Sequence, residues 1–267
     1  MRRKKQHQLK KLQFQSKPPI ILPIPTNNII LPKRINKLKK AKRLKNSSQQ
    51  WILRQINDPL VQKARAEGYR SRAAFKIMEI DEKFRIFKKN RIVLDLGAAP
   101  GGWSQVAVEK SGPNKVFALD LLEMPPLDGV HFVQLDFLDE NAPQIICDLI
   151  KEKTGRTKCD VLLSDMAANT TGDRRLDHMR IMNLLEEALY LGEKILNYKG
   201  CFAGKVFEGG SSEDLVKVLR KNFQTVKYFK PESSRKDSSE IYLVAMGFGM
   251  GKDSKKVEED IKNNNRN

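Results

Sequence analysis

Residues 91–105 read RIVLDLGAAPGGWSQ, and this stretch decides the fold. The segment Arg91–Leu96 is apolar and β-rich, as is typical of a strand buried on both faces of a parallel sheet. Glycines follow, and a helical pattern runs from Gly102 to Lys110. In open α/β sheets, ligands bind outside the carboxyl ends of the strands, where glycines let a ligand approach the backbone. The stretch therefore predicts a strand, a ligand-binding turn and a helix.

The same alternation of strand and helix patterns continues along the chain. Further strands are predicted at Lys115–Asp120, His131–Asp136, Asp160–Asp165, Gly200–Val206, Thr225–Phe229 and Ser239–Met246. Helices are predicted at Gln144–Lys153, His178–Leu196 and Ser212–Asn222, and an earlier helix that carries Lys76 has Ser71 as its predicted N-cap. This order predicts an α/β fold with a seven-stranded, mostly parallel sheet covered by helices on both faces. The loop before the last strand is too short for a crossover helix, so the last strand is expected to pair antiparallel.

Positive charge is concentrated at the amino-terminal end of the chain. The first 50 residues hold 15 of the 50 lysines and arginines and none of the 32 acidic residues. Proline is frequent there and no helical or strand period is sustained, so we predict a flexible basic arm at residues 1–50 that grips a polyanion. A processed targeting segment is the alternative. We expect a globular domain at residues 51–250 and a disordered charged tail at residues 251–267.

The cysteine and apolar patterns indicate a reducing compartment and no membrane span. Cys147, Cys159 and Cys201 are far apart in apolar segments, which disfavours a disulfide framework or a zinc site. The apolar stretches fall far short of the roughly 20 residues that a membrane helix needs. We therefore expect a cytoplasmic protein, working as a monomer, without a metal centre.

A glycine and two aspartates lie at the carboxyl ends of the first three predicted strands, at the edge where a cofactor would bind. Gly97 follows the first strand, Asp120 ends the second and Asp136 ends the third. The turn does not spell G-x-G-x-x-G, which disfavours a dinucleotide and a hydride-transfer enzyme. The turn is similar to the first motif of S-adenosylmethionine enzymes. With that cofactor bound, Asp120 would accept hydrogen bonds from the ribose hydroxyls and Asp136 from the adenine amino group. The alternative interpretation makes these residues turn formers and Trp103 a core residue.

Five segments together closely resemble the FtsJ/RrmJ family of ribosomal RNA 2′-O-methyltransferases. They are Ser71–Lys76, Asp95–Gln105, Ser164–Ala167, Gly204–Phe207 and Ser238–Tyr242, and the resemblance spans about residues 51–247. It implies a Rossmann-like methyltransferase fold with S-adenosyl-L-methionine as methyl donor. It also implies a uridine ribose of 23S ribosomal RNA, in the assembled 50S subunit, as the target. Ala168 departs from the family pattern, which usually has proline there.

The resemblance also implies the site residues. The catalytic tetrad would be Lys76, Asp165, Lys205 and Glu240, and the cofactor contacts would be Gly97, Gly101, Trp103, Asp120, Asp136 and Asp165. We expect Lys205 to accept the proton of the ribose hydroxyl and Asp165 to orient the Lys205 amine. Lys76 would act as the electrostatic partner of Lys205, and Glu240 would be a hydrogen-bond acceptor that positions these groups. The alternative is that each residue is an ordinary surface charge or salt bridge.

RNA phosphates are expected to meet a group of basic residues around the catalytic mouth. The group consists of Arg70, Arg72, Arg174, Arg175, Arg235 and Lys236. Three further functions stay open from the sequence: the same reaction on transfer RNA, the same reaction on a messenger RNA cap, and a noncatalytic ribosome-assembly factor of the same fold.

Overall fold

The computed structural model describes residue 53 and residues 55–167, 173–208, 213–235 and 237–251. The predicted arm at residues 1–50 and residues 252–267 of the predicted tail lie outside these ranges, so both assignments stay predictions. Ala168 also lies outside the described residues. In the part of the chain that the structure describes, no helix has the length and apolar character needed to cross a membrane.

The described chain contains both helices and strands, and most strands are separated by a helix. The helices are α1 (Pro59–Ala66), α2 (Ala73–Phe84), α3 (Gly102–Ser111), α4 (Ala142–Thr154), α5 (Arg174–Ile195) and α6 (Glu213–Asn222). The strands are β1 (Val93–Leu96), β2 (Val116–Asp120), β3 (Val130–Gln134), β4 (Cys159–Ser164), β5 (Leu196–Phe207), β6 (Phe223–Phe229) and β7 (Glu240–Phe248).

The strands form one mixed sheet in the order β3-β2-β1-β4-β5-β7-β6. Strands β1 to β5 pair in parallel, and β7 pairs antiparallel with both β5 and β6. The predicted seven-stranded, mostly parallel sheet with an antiparallel last strand is confirmed. The sequence did not predict that β7 lies between β5 and β6, a position that brings its side chains next to those of β5.

Two hydrophobic clusters cover the two faces of the sheet. Val93 belongs to the cluster that includes α2 and α3, whereas the next residue, Leu94, belongs to the cluster that includes α4, α5 and α6. Successive strand residues point to opposite faces, so a strand buried on both sides is apolar throughout. Full burial of each such side chain contributes about 1.5–3 kcal/mol relative to exposure.

Several predicted element ends are wrong in detail. Ser71 is not the N-cap of α2, because Arg72 takes that position and no side-chain hydrogen bond caps the helix. The Ser71 hydroxyl instead packs against Gly102, at the start of α3. Strand β3 ends at Gln134, so Asp136 lies in the loop that follows the strand. A strand end and the loop that follows it are similar in composition, so sequence alone places such a boundary poorly.

Ile145 and Ile146 of α4 test how much burial of a side chain contributes to the free energy of unfolding. Ile146 is 2% exposed and packs in the cluster of α4, α5 and α6, whereas its neighbour Ile145 is 40% exposed. Ile146→Ala should lower the free energy of unfolding by about 2–5 kcal/mol, since it removes buried methyl groups and leaves a cavity. Ile145→Ala, with the same change in helix propensity, should cost far less. Urea unfolding of both variants measures the difference, and equal losses would contradict this packing.

Asp95 is a carboxylic acid inside the sheet. It is fully buried in β1, and its Oδ2 accepts a hydrogen bond of 2.6 Å from the Ser104 hydroxyl of α3. Its Oδ1 has no hydrogen-bond partner among the described residues. Burial raises the pKa of Asp95 from 3.8 to about 7, and the Ser104 hydrogen bond only partly opposes this shift.

The raised pKa of Asp95 predicts a pH dependence of stability. The folded chain holds a proton that the unfolded chain releases between about pH 4 and pH 7, so folding is progressively weakened as pH rises through this window. Asp95→Asn keeps an acceptor for Ser104 but carries no charge. Relative to the parent chain, this variant should gain stability as pH rises from about 4 to 7 in urea unfolding experiments. A stability difference that does not change with pH would contradict the prediction.

Candidate active site

Lys205 and Asp165 form the centre of the candidate site. In the parallel pairing of β4 with β5, Ser164 lies opposite Gly204, so Asp165 and Lys205 come side by side. The Lys205 Nζ donates to the main-chain carbonyl of Asp165 at 2.7 Å and lies 3.1 Å from its Oδ1. The side chains are only 8% and 19% exposed. A lysine this buried needs such a partner, because an unpaired charge is costly in a low-dielectric interior.

Gly204, the residue before Lys205, allows close packing on the opposite face of β5. A Cβ at Gly204 would lie 2.5 Å from the ring of Phe202 and 2.8 Å from Leu185. Both contacts are too close for a side chain, so glycine lets α5 pack tightly against the strand. The next residue, Lys205, points to the opposite face of the sheet.

Tyr242 contacts Asp165 and lies on the same strand, β7, as the predicted site residue Glu240. It lies directly opposite Lys205 in the antiparallel pairing of β5 with β7, and its hydroxyl donates to Asp165 Oδ1 at 2.9 Å. Burial opposes ionisation of Asp165, but the charges of Lys205 and Lys76 and the hydrogen bonds lower the pKa of Asp165 below 3.8. Burial, together with the carboxylates of Asp165 and Glu240, raises the pKa of Tyr242 well above 10. At neutral pH the tyrosine is therefore a neutral donor and the aspartate an ionised acceptor.

Lys76 and Glu240 form a second ion pair beside Tyr242. Lys76 projects from α2, and its Nζ lies 2.6 Å from Glu240 Oε1 at the start of β7. Both side chains are largely buried, at 13% and 15% exposed. The same Nζ lies 5.8 Å from the centre of the Tyr242 ring, within range of a cation–π contact. The structure thus brings all four predicted tetrad residues together around one tyrosine.

Sequence reasoning assigned no role to Tyr242, although the residue stood within one of the quoted segments. The signal was present in the period of two along a strand. Glu240 and Tyr242 are two residues apart in β7, so they lie on the same face. A buried tyrosine two residues from a predicted site carboxylate, with a hydroxyl that needs a partner, is a candidate site residue.

A groove of about 940 Å³ opens beside Asp165 at the carboxyl ends of the strands. Four of the predicted cofactor residues line it: Gly97, Asp120, Asp136 and Asp165. Gly97 has a φ of +72°, and a Cβ there would lie 2.6 Å from the Met166 side chain. Glycine is therefore required at this turn both for its conformation and for the close approach of the loop after β4.

The groove suits a ligand with sugar hydroxyls, an apolar ring and a positive charge. Its floor includes Leu119 and Phe137, and three carboxylates lie along it. The Asp120 carboxylate is fixed by the N–H groups of Ala99 at 2.9 Å and Leu122 at 2.8 Å. Each of its oxygens can accept a further hydrogen bond. Arg180 also lines the groove, but with three carboxylates the described lining is negative on balance. It therefore favours a cationic sulfonium over a pyrophosphate, and the residues present fit S-adenosylmethionine.

Two of the predicted cofactor residues do not line the groove. Trp103 is 3% exposed, its indole N–H donates to the Ala73 carbonyl at 2.8 Å, and its ring packs against Tyr242. Gly101 is buried in the turn, against Met124 and Arg70. The Trp103 side chain thus lies in the core, as the alternative interpretation held, and leaves only its main chain for a ligand contact. Direct contacts from Gly101 and Trp103 stay predictions.

Three of the arginines predicted to meet RNA phosphates contact other parts of the protein. Arg70 donates to the main-chain carbonyls of Pro100 at 3.2 Å, Pro125 at 2.7 Å and Pro126 at 2.5 Å. It therefore ties the glycine-rich turn to the loop after β2. Arg72 and Arg235 both pair with Asp58. Arg175 is exposed in the first turn of α5, and the side chains of Arg174 and Lys236 lie outside the described set.

Comparison with known proteins identifies the family of the chain. A family model described as FtsJ-like methyltransferase matches residues 69–248. A protein of Rhodopseudomonas palustris (strain BisB18), named ribosomal RNA large subunit methyltransferase E, is 52% identical over 215 residues, which cover 79% of this chain and 88% of that protein. A protein of the same name from Bradyrhizobium diazoefficiens is 50% identical over 211 residues, covering 78% of this chain and 90% of that protein.

A solved structure shares the fold and is also similar in sequence. It is designated a ribosomal RNA methyltransferase from Plasmodium falciparum, with 33% sequence identity and a TM-score of 0.60. The match covers 67% of this chain and 98% of that chain. Since the family model covers well over half of the sequence and the relatives are about half identical, the chain belongs to the FtsJ-like methyltransferase family.

Proposed function

We propose that this chain transfers a methyl group from S-adenosyl-L-methionine to the ribose 2′-hydroxyl of a uridine in 23S ribosomal RNA. In this proposal it acts as a cytoplasmic monomer on the 50S subunit. The observation that carries the proposal is the convergence of two buried lysines and two carboxylates beside a groove lined by further carboxylates. The names of the relatives, which specify large-subunit ribosomal RNA, support this substrate over transfer RNA or a cap.

The groove residues would hold the cofactor, which supplies a methyl carbon already activated on a sulfonium. Asp120 would accept hydrogen bonds from ribose hydroxyls, and Asp136 from the adenine amino group. Gly97 leaves the turn open for close approach. Asp165 lines the groove and also holds Lys205, so one carboxylate connects the cofactor end of the site to the proton acceptor.

Lys205 would orient and deprotonate the ribose hydroxyl. Two of the three positions on its Nζ are directed to the carbonyl and Oδ1 of Asp165. Lys205 can accept a proton only after it has lost its own and become a neutral amine, whose lone pair would then occupy the third position. That lone pair would take the proton of a 2′-hydroxyl while the hydroxyl oxygen takes the methyl group. Alignment of the two reactants supplies several kcal/mol in such reactions, and general-base help adds roughly 10²- to 10⁴-fold.

Lys76 and Glu240 would act on the RNA side of the site. The Lys76 ammonium is fixed by Glu240 and by the face of Tyr242, so its charge can steady a ribose or phosphate oxygen without a search through rotamers. Glu240 also offsets part of the positive charge that two lysines bring together. A protein that only binds RNA has no need of two buried, paired lysines, which disfavours the assembly-factor alternative.

A panel of RNA substrates tests the proposed function. The purified chain is incubated with labelled S-adenosylmethionine and, in parallel, with 50S particles, naked large-subunit RNA, transfer RNA and capped messenger RNA. We expect label on a uridine ribose of the large-subunit RNA, with the 50S particle as the preferred substrate. Label on a base, or label only on transfer RNA or a cap, would contradict the proposal.

Replacement of Lys205 tests the assigned base. Lys205→Ala should lower the single-turnover rate of methyl transfer roughly 10²- to 10⁴-fold, since the general base is lost. Cofactor affinity, measured by calorimetry, should change little, because Lys205 does not line the groove. Lys227→Ala is the matched control, since Lys227 is an exposed lysine on β6, a strand of the same sheet. A Lys205→Ala rate close to that of the control would contradict the assignment of Lys205 as the general base.

A further inference from the structure

Asp58 is a buried carboxylate at the amino-terminal end of the described fold, 11 residues before the first residue that the family model matches. It is the N-cap of α1, and its Oδ1 accepts from the Leu60 N–H at 3.0 Å. Its Oδ2 pairs with Arg72, and with Arg235 at 3.1 Å. The side chain is 9% exposed. Burial opposes ionisation, but the charge of Arg72 and the hydrogen bonds lower the pKa of Asp58.

The two arginines connect Asp58 to the loop between β6 and β7, at residues 230–239. Arg235 belongs to this loop, and the Arg72 guanidinium donates to the main-chain carbonyl of Ser233. Glu79 of α2 adds a third attachment, because its carboxylate accepts from the N–H groups of Glu232 at 2.5 Å and Ser233 at 3.0 Å. The loop is thus held against α1 and α2 by charged groups on both sides.

The same loop leads directly into the second ion pair of the active site. The Ser234 hydroxyl lies 3.3 Å from Glu240 Oε1, the oxygen that pairs with Lys76. The Ser238 hydroxyl accepts from the Glu240 N–H at 3.2 Å. The position of the loop therefore sets where the Glu240 carboxylate lies relative to Lys76.

We propose that Asp58 is a positioning residue for methyl transfer: by pairing with Arg72 and Arg235 it fixes the loop at residues 230–239 and so keeps Glu240 opposite Lys76. Without the Asp58 carboxylate, two guanidinium groups would be left facing each other in a largely buried site, which favours their separation and the release of the loop. The proposal rests on the proposed function only for its activity readout.

The test uses Asp58→Ser in the full chain. Serine keeps an oxygen that caps α1, but it removes the charge that pairs with the arginines. The matched control is Glu67→Ser, which removes an exposed carboxylate at the other end of α1. A thermal melt of each variant sets an assay temperature at which both are folded.

The first readout is amide hydrogen exchange, which needs no activity. Asp58→Ser should exchange the amides of Glu232 and Ser233 at least tenfold faster than the parent chain, whereas Glu67→Ser should not. Amides of α4, on the other face of the sheet, should keep their protection in both variants. Unchanged exchange in the loop, or faster exchange throughout the domain, would overturn the proposal.

The second readout is the single-turnover rate on the RNA that the parent chain methylates. Asp58→Ser should lower this rate roughly 10- to 100-fold, with cofactor affinity unchanged, since a small displacement of a site residue carries a cost of this size. In a Glu240→Gln background the same change should have almost no further effect. Losses that multiply in the double variant would overturn the positioning role. A parent chain that methylates no RNA would contradict the proposed function alone, and the exchange experiment would still decide whether Asp58 fixes the loop.

Discussion

The candidate active site depends on the contact between Lys205 and Asp165. Two charged side chains are taken out of water where β4 and β5 run in parallel, and they can remain there because each satisfies the other. Tyr242 completes the arrangement through its hydrogen bond to Asp165. Loss of any one member would leave a buried polar group without its partner, which costs more than a surface ion pair is worth.

Asp165 belongs to two sites at once. It pairs with Lys205 and also lines the groove that would hold the cofactor, so in the proposed mechanism the same side chain would fix where the donor and the proton acceptor meet. The sheet determines where the other residues of the site lie. Lys205, Glu240 and Tyr242 lie on one face because of the period of two along β5 and β7, and Lys76 comes to that face from α2. Arrangement in space, rather than unusual residues, therefore accounts for the site.

Much of this organisation could be predicted from the sequence, because it follows from local periodicity and from recognisable segments. The run at Arg91–Leu96 indicated a buried parallel strand, and the structure has β1 there at Val93–Leu96. The tetrad was predicted through the family resemblance, since nothing in the spacing of Lys76 and Glu240 shows that they meet. Contacts that depend on tertiary packing were missed: the insertion of β7, the link from Tyr242 to Asp165, and the pairing of Arg72 with Asp58. An arginine that pairs with a distant acid looks, in sequence, like one that binds phosphate.

The central claim is that Lys205 and Asp165 act as one catalytic unit, and a double-mutant cycle on methyl transfer tests it most directly. Single-turnover rates would be measured at saturating cofactor for Lys205→Met, Asp165→Asn and the double variant. The account predicts that the double variant is about as slow as the slower single variant, because either change already disables the pair. Losses that multiply would show that the two residues contribute independently and would contradict the account.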